Sequence, residues 1–146
     1  MNTKHYYKEL LSSEFIDELI KNEDFIDGRK GGLILGNSHK NGGVLFLYQF
    51  PEGFRVFGEV EGYEYVLSKE STDKHRRKLN DIGNYDRDVT QEFEPFEIPE
   101  HIKIIDARKN SYESKYVLLD TRGGFAIINK YSTKIYLSEI DFLNKN

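Results

Sequence analysis

The chain has 146 residues with a formal net charge of −4, 38% of them hydrophobic and 32% charged, so it can bury a core of its own without covalent staples. It contains 0 Cys, which excludes disulfide scaffolds, thiolate zinc sites, iron–sulfur clusters and cysteine nucleophiles. Aromatic residues at 14% argue against a disordered chain, and the acidic balance lacks the basic footprint of a nucleic-acid binder.

The opening segment MNTKHYYKELLSSEF is charged and has no apolar signal core, and no apolar run reaches the roughly 18 residues of a membrane span. One cytoplasmic domain over 1–146 is therefore expected, with no membrane partner. Within 4–26, Tyr7, Leu10, Leu11, Phe15, Leu19 and Ile20 recur at helical spacing, and Ser12 or Ser13 is placed to cap a second start. This predicts one broken helix or two short ones, ended by Gly28, Gly31 and Gly32.

A glycine-punctuated block then runs to Leu67. Strands are predicted over 33–36, 44–49, 54–57 and 60–67, joined by the polar loop 37–43 and the Pro51-Glu52-Gly53 turn. Gly58 and Gly62 are placed to mark bulges. Segment 68–80 reads as one short amphipathic helix started by Ser68 or Ser71, with a thin apolar stripe at Leu79 and Ile82. An acidic loop over 83–99 carries Phe93, Phe96 and Ile98 as surface anchors. Strands follow over 101–106, 116–120, 125–128 and 134–137, with turns at 121–124 and 129–133, and Ser138 caps a terminal half-helix through Leu143.

Few residues suggest chemistry. Ser38 and His39 pair a hydroxyl with a base, but adjacent residues on an extended segment face opposite ways, so the loop reads as a polar turn and contact surface. In the string GEVEGYE, Glu59 and Glu61 lie two apart on one strand face, with Glu64 close behind. Two such carboxylates can bind a cation or divide acid and base roles. Nothing in the spacing completes a metal set, because His5, His39, His75 and His101 form no HxH, HxxxH or HExxH pattern. The expectation is a solvated acidic face, without metal or cofactor. The basic run 75–78, with Lys69 and Lys74, reads as a helix face balanced by Glu70, Asp73 and Asp81. Segment 86–100 instead presents acids and aromatic anchors suited to a basic cleft. Arg122-Gly123-Gly124 is a hairpin turn, since neither GxGxxG nor GxxxxGK[ST] occurs.

The order of an N-terminal amphipathic segment, a block with LILGNSHKNGGVLFLY and GEVEGYEYVLS, and a closing KYVLLDTRGGFAIINKYSTKIYLSEIDFLN resembles the SUKH superfamily. That superfamily groups relatives of the yeast cell-wall-synthesis regulator with bacterial toxin-immunity proteins. The resemblance implies an α+β fold without catalytic residues that binds and neutralises a cognate toxin.

The expectations are then an α+β fold with a mainly antiparallel, twisted sheet, an N-terminal helical segment, one middle helix and a short C-terminal helix. The expected function is non-enzymatic binding of another protein, a basic toxin in the terms of the resemblance, and not of nucleic acid. The expected contact residues are Glu59, Glu61, Asp86, Asp88, Glu92, Phe93, Glu94 and Phe96. The alternative is a small-ligand or enzyme site at the glycine turns, built from Ser38, His39, Glu59 and Glu61.

Overall fold

The computed structural model describes residues 10–11, 25–50, 53–83, 92–108, 116–118 and 126–145. Its strands are β1 (Leu10–Leu11), β2 (Phe25–Asp27), β3 (Gly31–Leu35), β4 (Val44–Phe50), β5 (Gly53–Val60), β6 (Tyr65–Leu67), β7 (Ile104–Asp106), β8 (Tyr116–Leu118) and β9 (Ile127–Ile128). The α-helices are α1 (Lys69–Lys74), α2 (Arg76–Gly83) and α3 (Lys130–Lys145). The fold is α+β.

Side-chain alternation along β3 and β6 sets the layers. Leu33, Tyr65 and Leu67 enter one core with Leu79, Ile82, Leu137, Ile140 and Leu143 of the helices. Their neighbours Ile34 and Val66 point the other way, into a second core with Val44, Phe46, Val60, Ile105 and Val117. Successive strand residues face opposite sides, so an uninterrupted apolar run such as Tyr65–Leu67 is buried on both faces. The result is a five-stranded sheet (β1-β5-β4-β8-β2), a four-stranded sheet (β7-β3-β6-β9) packed on it, and helices covering the second sheet.

Both sheets are mixed, which corrects the mainly antiparallel expectation. The pairs β1–β5, β4–β5, β3–β6 and β6–β9 are antiparallel, whereas β2–β8, β4–β8 and β3–β7 are parallel. Gly58 does sit at a bulge: Phe46 pairs with Gly58 and Leu47 with Val56, leaving Phe57 unpaired.

The helices also depart from expectation. Within the predicted N-terminal helix, Leu10–Leu11 and Phe25–Asp27 are strands and the remainder lies outside the described residues. The predicted middle helix is two, broken at His75 (φ −120°, ψ 27°). Its cap is as expected, with the Ser71 N–H donating to Ser68 Oγ at 3.1 Å. The predicted strand 134–137 lies inside α3, a 16-residue helix whose kink falls at Tyr136 (φ −114°, ψ 19°). Asn129 starts this helix by accepting the Ser132 N–H on Oδ1 at 2.9 Å. Burial of Thr133, Leu137, Ile140, Asp141 and Asn144 on one face then outweighs the strand preference of Tyr131, Thr133 and Ile135.

One buried carboxylate fixes α3 against the sheet. Asp141, 2% exposed, accepts the Tyr65 hydroxyl at 2.6 Å and the Lys103 N–H at 3.1 Å on Oδ1, and pairs with Lys145 at 2.9 Å through Oδ2. Burial alone would raise its pKa, but the Tyr65, Lys145 and Lys103 hydrogen bonds outweigh it and hold the carboxyl below its ordinary 3.8. A depressed folded-state pKa contributes stability that is present above 3.8 and lost as pH falls through the folded value. Asp141→Asn is therefore expected to cost about 1.5–3 kcal/mol in urea unfolding at pH 7, the worth of hydrogen bonds to a charged group. The gap to the parent protein should narrow as pH falls below 3.8, and a pH-independent gap would contradict the assignment.

Candidate functional site

The glycine turns bring together three segments that are separate in sequence. His39 opens a short 3-10 turn, His39–Asn41, closed by hydrogen bonds from the Asn41 and Gly43 N–H groups to the Ser38 carbonyl at 2.9 and 2.8 Å. Gly43 leaves the turn at φ 62°, and a Cβ there would collide with the Glu59 side chain. Glycine at this position lets the end of β5 slide its carboxylate beneath the histidine. Beyond β5, Glu61 to Glu64 form a reverse turn, with the Glu64 N–H donating to the Glu61 carbonyl at 3.3 Å. The turn is stitched to β3 by Tyr63 N–H to Ile34 O and Ile34 N–H to Glu64 O, both 2.8 Å. Tyr63 takes φ 71°, a left-handed conformation costly for a bulky residue.

Around His39 the carboxylates converge. Its Nδ1 hydrogen-bonds Glu59 Oε2, and its Nε2 lies 3.2 Å from Glu61 Oε2 and 4.0 Å from Glu64 Oε1. The carboxylate side chains are only 15%, 11% and 13% exposed for Glu59, Glu61 and Glu64, whereas the histidine ring is 47% exposed. Lys130, the first residue of α3, reaches the other oxygen of Glu61, Oε1, at 2.7 Å. Glu64 Oε1 also accepts the Glu61 N–H at 2.9 Å. Burial, reinforced by the Glu61 charge and only partly offset by the Glu61 N–H, pushes the Glu64 carboxyl up to about 7.

Chemically, three shielded carboxylates face one amine and one imidazole. When Glu59 accepts the Nδ1 proton, a neutral ring leaves its Nε2 lone pair 3.2 and 4.0 Å from two carboxylate oxygens, a repulsion that a proton or a metal cation between them would relieve. The ligand atoms of His39, Glu61 and Glu64 all lie within 4.8 Å of one another. Local spacing in the sequence cannot register a grouping of this kind, because its members come from separate turns.

An aromatic wall adjoins the cluster. Tyr63 packs on Phe93 and Phe96 with ring centroids 5.3 and 4.9 Å apart, and Phe93 meets Tyr131 edge-on at 5.6 Å. The Lys130 ammonium lies 5.0 Å from the Phe93 ring centre, a cation–π contact that holds the amine beside Glu61.

Of the residues singled out from sequence, His39, Glu59 and Glu61 are brought together, and Ser38 contributes backbone to the turn without a side-chain cap. Glu59 and Glu61 do not form a solvated face, because both are shielded and engaged by His39 and Lys130. Phe93 and Phe96 are half-buried against Tyr63, while Glu92 and Glu94 are exposed. Asp86, Asp88 and the Arg122-Gly123-Gly124 turn lie outside the described residues. In the basic run, Asp73 pairs with Lys69 and Arg76 at 2.8 and 2.9 Å, and Glu139 of α3 approaches Lys78 at 3.8 Å. In the sequence Glu64 stands out only as a third acid in the string, and Lys130 carries no signal of its own, because Asn129, which starts α3, reads equally well as a turn residue.

No family model matches the chain, and no curated protein or solved structure matches it. Among the described residues no helix is long and apolar enough to cross a membrane.

Lys130→Met keeps most of the side-chain stem but leaves the shielded Glu61 carboxylate without its amine. Urea unfolding should register a loss of about 3 kcal/mol, the low end for breaking a buried pair. Pairing it with Glu61→Gln should recover most of that loss, because the stranded charge is gone. Strictly additive losses would show that the two groups do not interact.

Proposed function

We propose that this protein is a binding domain whose His39–Glu61–Glu64 cluster takes a divalent transition-metal cation. The observation that carries the proposal is the position of His39 Nε2, 3.2 Å from Glu61 Oε2 and 4.0 Å from Glu64 Oε1, with Nδ1 held by Glu59. One imidazole and two carboxylates form a mixed N/O donor set suited to zinc or manganese, and metal-bound histidines commonly donate their other N–H to a carboxylate. Lys130 occupies only the far oxygen of Glu61, so Oε2 stays available to a metal. A cation would also cancel the repulsion that Glu64 otherwise relieves by holding a proton, and affinity should therefore fall as pH is lowered.

Isothermal titration of the chelator-stripped protein with zinc chloride at pH 7.5 tests this. One site per chain is expected, with His39→Ala weakening it by at least 100-fold and Glu59→Ala by about 10- to 100-fold, the usual effect of losing an outer hydrogen bond. Absence of saturable binding, or equal affinity in His39→Ala, would refute the proposal.

A second reading, the partner protein expected from the SUKH resemblance, draws on loop 92–100. There Glu92, Glu94, Glu97 and Glu100 are exposed while Phe93, Phe96 and Ile98 are partly buried, so an acidic edge is held in place by aromatic anchors. Such an edge suits electrostatic steering of a basic protein. Reversing Glu92 and Glu94 to lysine should slow association with such a partner and weaken its salt dependence, and an unchanged association rate would remove this surface from consideration.

A further inference from the structure

At the opposite end of α3 lies a cavity of about 500 Å³ with a charge unlike that of the rest of the chain. Arg29, Lys30, Lys69, Lys74, Lys103 and Lys145 line it, with Glu70 the one acid among the described lining residues, in a protein of net charge −4. These cations come from the β2–β3 turn, α1, the segment before β7 and the end of α3, so folding gathers them from four places.

Part of that charge is balanced from outside the cavity. Arg29 pairs with Asp27, Lys69 with Asp73 and Lys145 with Asp141, at 2.8, 2.8 and 2.9 Å. Lys103 donates instead to the Lys30 carbonyl at 3.2 Å, a neutral partner. Burial is the main cause that lowers the Lys103 pKa, and the Lys30 and Lys145 charges add to it against the opposing charges of Asp141 and Asp27.

The floor is rigid. Asn144 accepts the Ser68 N–H at 2.9 Å, donates to the Lys30 carbonyl at 3.1 Å, and receives the Ser71 hydroxyl on its own carbonyl at 2.9 Å. Gly31 is confined between the Val66 carbonyl and Asn144 Oδ1, so a Cβ there would break the floor apart.

We infer that this cavity is a binding site for a small phosphorylated organic molecule. Lysine side chains contributed to one cavity by several elements suit a multiply charged anion whose oxygens point in several directions. A volume of about 500 Å³ falls in the range of roughly 300–1,000 Å³ typical of small-molecule sites and exceeds what an inorganic anion alone would fill. The inference is independent of the cation site, which lies at the other end of α3.

The test is isothermal titration of the full chain with ADP, inorganic pyrophosphate and sulfate at matched ionic strength, with EDTA present so that metal binding plays no part. ADP is expected to bind at one site per chain, at least 10-fold more tightly than sulfate. Lys30→Glu combined with Lys74→Glu, both exposed positions, should weaken ADP at least 10-fold while leaving the urea midpoint within a few tenths molar. Pyrophosphate binding as tightly as ADP would still support a phosphate site and would place the affinity in the phosphates. Saturable binding of none of the three, equal affinity for sulfate and ADP, or full affinity in the double variant would overturn the inference. A single-stranded oligonucleotide that binds when ADP does not would overturn it in favour of a nucleic-acid surface.

Discussion

Asp141 is a carboxylate almost without water around it, and its partners come from three parts of the chain: Tyr65 in β6, the Lys103 backbone ahead of β7, and Lys145 one helical turn onward. A buried charge costs several kcal/mol unless it is paired and hydrogen-bonded, so displacing α3 along or around its axis would strand it. Apolar packing by Leu137, Ile140 and Leu143 supplies the attraction between α3 and the sheet. The carboxylate supplies the register, since apolar contacts tolerate small slips and a three-partner charge does not. At 1.5 Å per residue the two ends of α3 are roughly 22 Å apart, and each end delivers lysine to a charged site. Lys130 reaches the carboxylate cluster at one end, while Asn144 and Lys145 border the basic cavity at the other.

The carboxylate cluster is assembled on a second constraint, the close approach of glycine turns. Gly62 lies against the Gly36 carbonyl, and Gly43 against Glu59, with no room for a Cβ in either place. These contacts crowd three acids around His39 and shield them from water, which raises the free energy of keeping them all ionised. The arrangement persists because Lys130 neutralises one acid, and because Glu64 can hold a proton up to about pH 7. A divalent cation would do the work of that proton. The left-handed Tyr63 fits the same picture, since its ring packs on Phe93 and Phe96 and so offsets part of the backbone cost at the tip of the turn.

Much of the central block was legible because its signals are local. Apolar alternation and glycine punctuation place β3 and β4 within two residues of expectation, and the Ser68 cap stands where a serine before a polar helix should. Strand partners were not legible. The pairing of Leu45 with Tyr116, or of Ile34 with Ile105, depends on segments far apart in sequence, and periodicity carries no record of which neighbour a strand selects. In α3 the residues Tyr131, Thr133 and Ile135 have strand preferences, and tertiary burial overrides them. A turn at 129–133, where Asn129 instead starts α3, conceals Lys130, the amine that distinguishes a balanced cluster from an open acidic face. The charges of the basic cavity are scattered in the same way, with Lys30, Lys103 and Lys145 far apart in sequence.

In the proposed cation site His39 acts as a ligand through Nε2 while Glu59 holds Nδ1. Long-range proton–nitrogen NMR of histidine-labelled protein, titrated with zinc, observes those two nitrogens separately among the 4 histidines. The account predicts that the His39 Nε2 resonance moves to a metal-bound position with one equivalent of zinc while Nδ1 stays protonated. A His39 Nε2 signal that does not respond, or zinc appearing first on His5, His75 or His101, would contradict it.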